Sequence, residues 1–251
     1  MTTVFSEDSQ KYRDQILEMI RFFDSEGEVL EEGSRNQIKL FELNGTTLNI
    51  KSFKVPNAVN QVVYRFFRKS KAQRSYEYAQ KLLQKEIGTP KPFAYIEKPG
   101  LITFGRSYYV SEQLDCDFTY REVIWDPKVK DRQSILRAFT RFTWELHEKQ
   151  VYFLDHSPGN TLIKQKEGNY HFYLVDLNRM EFKNLTFEER MKNFSRLTSK
   201  KEVVKVMASE YAQLIGKPEA EVFSKMWFYT ENFQKKFQKK RQLKSKFKLR
   251  K

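Results

Sequence analysis

The sequence predicts an α+β fold of two lobes, a mostly antiparallel sheet lobe followed by a mainly helical one. Three observations predict it. Apolar residues alternate with a period of two through much of residues 27–114, they recur at spacings of three and four from about Asp131, and short strand-like runs interrupt the helical half between residues 151 and 175. The expected divisions are a sheet lobe at 1–114, a helical lobe at 115–234 and a basic tail at 235–251.

Each element has a local reason. Gly27 to Leu30 reads as a first strand, with residues 32–36 as a connecting loop. Residues 37–43 (QIKLFEL) and 47–53 (TLNIKSF) alternate on either side of Asn44-Gly45, the dipeptide that a tight hairpin turn favours. Ala72, Tyr76, Ala79, Leu82 and Leu83 then make a helical stripe that Gly88-Thr89-Pro90 stops. Phe93–Ile96 and Ser107–Leu114 complete the sheet. In the second half Ile135, Phe139, Phe142 and Leu146 form one helical face, and Thr186 with Glu189 and Ser199 with Glu202 have capping-box spacing. Between them, Val151–Leu154, Leu162–Lys164 and Tyr170–Val175 read as short strands, the last two joined by a turn at Glu167-Gly168-Asn169.

Composition narrows the class. A chain of 251 residues with 39% hydrophobic and 15% aromatic residues has ample apolar material for a core, which excludes wholesale disorder. One cysteine, Cys116, excludes an internal disulfide framework, and three histidines leave little for a Cys/His zinc site. No run is apolar enough to span a bilayer, and the acidic start MTTVFSEDSQKYRD lacks the marks of a signal peptide, so a cytoplasmic protein is expected. The net charge of +14 is concentrated. Residues 235–251 hold ten Lys/Arg and residues 51–74 seven, with no acid in either stretch, so the rest of the chain is slightly acidic. In both stretches rings and alkyl groups interleave with cations, a pattern suited to an anionic membrane surface contacted through residues 54–74 and 235–251. Nucleic acid accepts the same pattern.

The chemistry-bearing residues cluster near residue 155. Leu154-Asp155-His156-Ser157-Pro158-Gly159-Asn160 and, sixteen residues further on, Asp176 place three oxygen-bearing side chains just after apolar runs. A carboxylate and an amide can hold Mg2+ together with phosphate oxygens, which suits Asn160 and Asp176 and leaves Asp155 free to accept a proton. The same heptapeptide also has the composition of a simple turn. His156 is expected to be solvated and His147 structural. Of the two lysines near residue 51, strand alternation puts Lys51 on the face of Asn49 and Phe53, while Lys54 leads into the basic insert. Nucleic-acid binding gives no role to Asp155, Asn160 and Asp176.

These residues carry a resemblance. Asp155 and Asn160 have the D-x-x-x-x-N spacing of the kinase catalytic loop, Asp176 resembles the metal-binding Asp of the D-F-G position, and Asn49-Ile50-Lys51 after a hairpin resembles the V-A-I-K lysine. Asp155 to Asn160 is similar to the D-L-H-P-G-N loop of sugar and small-molecule kinases with the protein-kinase fold. With the basic insert, Asp176-Leu177-Asn178-Arg179 and Asn193-Phe194-Ser195-Arg196-Leu197, the stretch from Gly33 to Leu197 resembles the lipopolysaccharide core kinases that act on Kdo and heptose.

The resemblance implies a protein-kinase-like two-lobed fold and an ATP-dependent kinase that phosphorylates a sugar hydroxyl of the lipid A–Kdo or lipopolysaccharide core acceptor. It implies ATP and Mg2+ as cofactors. Lys51, held by Glu77, would bind the α- and β-phosphates; Asn160 and Asp176 would hold magnesium; Asp155 would act as catalytic base. Gly33 would remain of a phosphate loop, Glu112 and Leu114 would meet adenine through backbone groups, and Leu162 would lie beneath it. Location on the inner face of the bacterial inner membrane follows, with no obligate protein partner; Kdo is favoured because the chain is short. The pattern departs from the protein kinases at Phe153 and Leu154, which replace His and Arg, and at Asn178, which replaces Gly. A catalytically inactive binder of nucleotide or glycolipid, and a kinase with a small-molecule or protein acceptor, are the alternatives that these departures leave open.

Overall fold

The computed structural model describes residues 1–32, 36–54, 69–99, 104–126 and 128–248. They divide into two compact units, one made of Met1–Asp115 with Asp176–Asn178 and the other of Cys116–Val175 with Arg179–Lys251.

The first unit is built on a six-stranded antiparallel sheet. Its strands are β1 (Thr2–Phe5), β2 (Glu28–Glu32), β3 (Asn36–Leu43), β4 (Thr46–Phe53), β5 (Pro92–Pro99) and β6 (Phe104–Glu112), in the order β1-β5-β6-β4-β3-β2. The Asn44-Gly45 turn sets the register of the central hairpin, pairing Leu43 with Thr46 and Ile38 with Lys51. Because side chains alternate along a strand, the sheet has two apolar faces. On one, Leu48, Ile50, Ala94, Ile96, Tyr108 and Val110 pack with Ile16 and Ile20 of α1 (Arg13–Arg21) and with Phe23 and Phe41. On the other, Phe53 and Tyr95 pack with Ala72 and Tyr76 of α2 (Lys71–Gln84). The N-cap of α2 is Ser70, whose hydroxyl accepts the Gln73 amide. Gly27 is needed where it stands, since its φ is +82° and a Cβ there would fall 2.5 Å from the Phe41 ring.

The second unit is mainly helical. It contains β7 (Phe118–Thr119), α3 (Tyr120–Trp125), α4 (Arg132–Glu148), β8 (Val151–Phe153), β9 (Thr161–Lys166), β10 (Asn169–Leu174), β11 (Met180–Phe182), α5 (Phe187–Asn193), α6 (Lys201–Ile215) and α7 (Glu219–Lys248). The predicted stripe of α4 is buried at Ile135, Phe139, Phe142 and Leu146, and Phe139 stacks on Tyr120 with ring centroids 3.9 Å apart. The strands form two small sheets, β10-β9-β7 and β11-β8. Thr186 and Glu189 close the expected capping box at the start of α5. The Ser199–Glu202 box does not form: α6 begins at Lys201, and the Lys200 amide donates instead to Thr198 Oγ1.

The expected boundary at residue 235 is crossed without a break, because α7 runs from Glu219 to Lys248. Val222, Met226 and Thr230 are buried at helical spacing, whereas residues 235–243 are exposed, Phe237 and Leu243 among them. Among the described residues no helix is long and apolar enough to cross a membrane.

Candidate active site

Lys51 lies on the central strand β4, with its side chain only 15% exposed, and its Nζ donates to Asp176 Oδ1 at 2.7 Å. The same oxygen accepts the Asn178 Nδ2 at 2.8 Å. Asp176 sits at φ +57°, a left-handed conformation that Asp tolerates better than most residues, and its Oδ2 is left over from these contacts. Asn178 is itself held, since its carbonyl accepts Arg74 Nη1 at 2.8 Å.

The expected Lys51–Glu77 pair is not formed. Glu77 instead accepts Lys69 Nζ on both carboxylate oxygens, at 2.9 and 2.7 Å, and Gln73 Nε2 on Oε1 at 3.0 Å. Lys69 immediately precedes the α2 cap and reaches Glu77 two turns along the helix, so a local cation takes the carboxylate and Lys51 turns to Asp176. Among the described residues of the basic stretch 51–74, Lys51 and Lys69 are paired, Arg74 is buried, Lys71 lies over the Phe53 ring and Lys54 is exposed. Arg65, Arg68 and Gly33 lie outside the described residues.

Glu112 ends β6, and Gln113 and Leu114 follow it. The amides of Glu112 and Gln113 donate to the carbonyls of Lys91 and Thr47, both within 2.9 Å. Of the backbone groups expected to meet adenine, that leaves the Glu112 carbonyl and the Leu114 amide.

In the second unit the loop from Leu154 to Asn160 is tightly held. Pro158–Asn160 form a 3₁₀ turn, and Asn160 Nδ2 donates to the Asp155 carbonyl at 2.9 Å, so its Oδ1 is the atom left to meet a cation. Beyond the loop, the Val175 amide donates to the Asn160 carbonyl at 3.0 Å. The Asp155 carboxylate receives Arg196 Nη1 at 2.6 Å on Oδ1 and Arg179 Nη1 at 3.4 Å on Oδ2. Leu162 is half-buried on β9, opposite Tyr173.

A buried polar network fixes the strand that leads into the loop. Asn193 Nδ2 donates to the Phe153 carbonyl at 2.8 Å, so its Oδ1 must accept, and it lies 3.0 Å from His147 Nε2. His147 Nδ1 then accepts from the Tyr211 hydroxyl at 2.7 Å. Burial lowers the His147 pKa to about 4, which keeps the ring neutral and this tautomer in place. The structural role expected of His147 is met. His156 differs from expectation: it is fully buried between Phe139 and Phe153, and among the described residues neither ring nitrogen lies within hydrogen-bonding geometry of a partner. The residue next to Asp155 points into the core, so its side chain is an anchor and is removed from solvent. Sequence reasoning named Asn193 and Arg196 only as parts of a motif; their bonds to Phe153 and Asp155 needed the fold.

Asp176 in the first unit and Asn160 in the second each keep one side-chain oxygen, and carboxylate and amide oxygens are of the kind Mg2+ takes from a protein when phosphates complete its shell. Among the described residues no cluster of three or more His, Cys, Asp or Glu could hold a metal without such help.

Two compact units, an antiparallel sheet bearing a largely covered lysine and a helical body bearing a D-x-x-x-x-N loop, define a protein-kinase-like fold. The structure of WaaP in complex with acyl carrier protein is similar, with a TM-score of 0.62 and 15% identity over 94% of this chain and 99% of that one. A WbdD structure with the kinase inhibitor LY294002 matches at 14% identity over 81% of this chain and 44% of that one, with a TM-score of 0.48. No curated protein matches the sequence. The family model described as "Lipopolysaccharide kinase (Kdo/WaaP) family" matches residues 21–217, and the chain belongs to that family of lipopolysaccharide sugar kinases.

Proposed function

We propose that the protein is an ATP-dependent kinase that moves the γ-phosphate to a sugar hydroxyl of the lipid A–Kdo or lipopolysaccharide core acceptor, with Kdo favoured over heptose. The observation that carries this reading is the presence, in a member of the family, of each side chain that the resemblance assigns to phosphoryl transfer: Lys51, Glu77, Asp155, Asn160 and Asp176. Transfer of a phosphoryl group asks a protein mainly for positioning and charge stabilisation.

In this reading Lys51 leaves Asp176 for the α- and β-phosphates, and Glu77 exchanges Lys69 for Lys51. Asp176 Oδ2 and Asn160 Oδ1 hold Mg2+, which supplies positive charge against the phosphates when bound. Asp155 orients the acceptor hydroxyl and takes its proton. The Glu112 carbonyl and the Leu114 amide meet adenine, Leu162 lies under it, and Gly33 belongs to the loop over the phosphates. The exposed end of α7 holds the enzyme to the anionic inner face of the membrane, each cation near such a surface contributing about 1 kcal/mol. No obligate protein partner is needed, although WaaP is seen with acyl carrier protein.

ADP release from Mg-ATP, measured for the wild type and for Asp155→Asn, tests the reading. Acceptor-dependent release that the variant loses supports it. Nucleotide binding with no release for any acceptor supports the inactive-binder alternative instead.

A further inference from the structure

Asp155 does not stand alone in its loop. Arg196 Nη1 reaches its Oδ1 at 2.6 Å and also donates to the Leu154 carbonyl at 3.1 Å, while Arg179 Nη1 lies 3.4 Å from Oδ2. Both carboxylate oxygens therefore face a guanidinium. A general base must turn one of them to the hydroxyl that it deprotonates. Each guanidinium carries five donors in a planar fork, and these contacts occupy one nitrogen of each. The side chains of Arg196 and Arg179 are 34% and 53% exposed, against 19% for Asp155, so their remaining donors are open to an incoming ligand.

Arg196 is also held in place. Its guanidinium lies over the ring of Phe233 on α7, 5.3 Å from the centroid, and Phe233 in turn stacks on Phe237 at 6.1 Å. A third guanidinium borders the same loop: a Cβ on Gly159 would fall 2.7 Å from Arg121 Nη2. Three arginines thus stand around a loop whose one carboxylate is Asp155. A neutral sugar has no use for that surplus of positive charge. A sugar that carries a carboxylate on the same ring as its accepting hydroxyl does, because the arginine fork matches a carboxylate through two parallel bonds.

We propose that Arg179 and Arg196 form the acceptor's anion subsite and that they grip the carboxylate of an acidic sugar, an ulosonic acid. The incoming carboxylate replaces Asp155 on the guanidiniums and frees it to face a hydroxyl of the same sugar. The arginines remain paired before and after, while Asp155 gives up its guanidinium partners and turns to the acceptor hydroxyl, whose proton it takes. The inference rests on the kinase reading and deepens it, since it selects an acid such as Kdo over a neutral heptose. A phosphate elsewhere on the glycolipid could meet the same guanidiniums, and the test separates the two.

The test compares the methyl glycoside of Kdo, its methyl ester and a methyl heptoside as ligands and acceptors of the full chain. Affinity is read by calorimetry, turnover by ADP release, and the KM for ATP serves as internal control. Wild type is expected to prefer the acid over the ester by about tenfold or more, the scale of a charge-assisted paired contact. Arg196→Ala should bring that ratio close to one with the KM for ATP unmoved, and Arg196→Lys, which keeps charge but loses the fork, should retain part of it. Equal binding of acid and ester by the wild type overturns the proposal, as it does if only a phosphate matters. So does an Arg196→Ala variant that weakens both ligands alike, which is the mark of a merely structural role. A preference for the acid without turnover supports the subsite and removes the kinase reading; turnover without preference does the reverse.

Discussion

Acidification should weaken the fold through two buried histidines, and the size of the effect follows from where they sit. Burial pushes the pKa of His156 down to about 3 and that of His147 down to about 4, both well below the ordinary 6.5. A histidine with a depressed pKa binds its proton more readily in the unfolded chain, so stability is fully present above pH 6.5 and is lost as pH falls toward the folded values. At pH 5 each ring contributes a loss of about 2 kcal/mol, hence about 4 kcal/mol for the pair, a large share of the stability of a typical domain. Carboxylates titrate mostly below this window, so the interval from pH 7 to pH 5 isolates the histidines. Urea unfolding at the two pH values, with the wild type and His156→Leu, measures the effect. The variant should lose about half as much as the wild type between pH 7 and pH 5, because only His147 remains. It should also gain about 1 kcal/mol at pH 7, since leucine removes two buried nitrogens that have no hydrogen-bond partner among the described residues. Equal pH losses in wild type and variant would refute the reasoning, because they would mean that His156 accepts a proton without leaving its pocket.

Two further outcomes follow from local geometry. Gly27→Ala should cost about 1–3 kcal/mol in thermal or urea unfolding, since it adds an overlap with the Phe41 ring to a positive φ; Gly45→Ala, with a similar φ of +81° and open space around it, should cost distinctly less, and equal losses would leave the overlap without effect. Replacing Lys235, Lys236, Lys239 and Lys240 by Gln should weaken sedimentation with vesicles that contain anionic lipid, most strongly at low salt, whereas unchanged binding would remove α7 from the proposed membrane contact.

Much of the fold was legible where the chain's period is long and its punctuation strong. The β3–β4 hairpin follows from alternation around Asn44-Gly45, and α4 from the stripe of Ile135, Phe139, Phe142 and Leu146. Strand β1 and helix α1 were not read, because a four-residue strand depends on β5 for its partner and α1 has no side-chain cap to mark its start. Helix α3 was missed although Thr119 and Glu122 form a capping box, since six residues are too few to show a period. The Ser199–Glu202 spacing failed for the opposite reason: a motif was present, but Thr198 had already met the nearby amide.

The site was legible as a set of residue types and less so as a set of pairs. Spacing and resemblance named Lys51, Glu77, Asp155, Asn160 and Asp176, yet Lys51 holds Asp176 and Glu77 holds Lys69. Pairing is decided by which cation lies nearest in three dimensions, and local sequence does not contain that distance. The same holds for Arg196 and Arg179, which lie 41 and 24 positions after Asp155 and meet it only once β8 and β11 are paired and α5 has turned back toward the loop. His156 is the sharpest case. Its neighbours in sequence are turn formers, and only the placement of Phe139 and Phe153 makes it a core residue.

The most direct test of the central claim is the mass of the acceptor after incubation with Mg-ATP, using a Kdo-bearing lipid A precursor, a heptose-bearing core and no acceptor, with Asp155→Asn as control. The account predicts the addition of one phosphate to the Kdo-bearing acceptor by the wild type and none by the variant. Phosphate added equally by both proteins, or none added to any acceptor by a folded wild type that binds ATP, would contradict it.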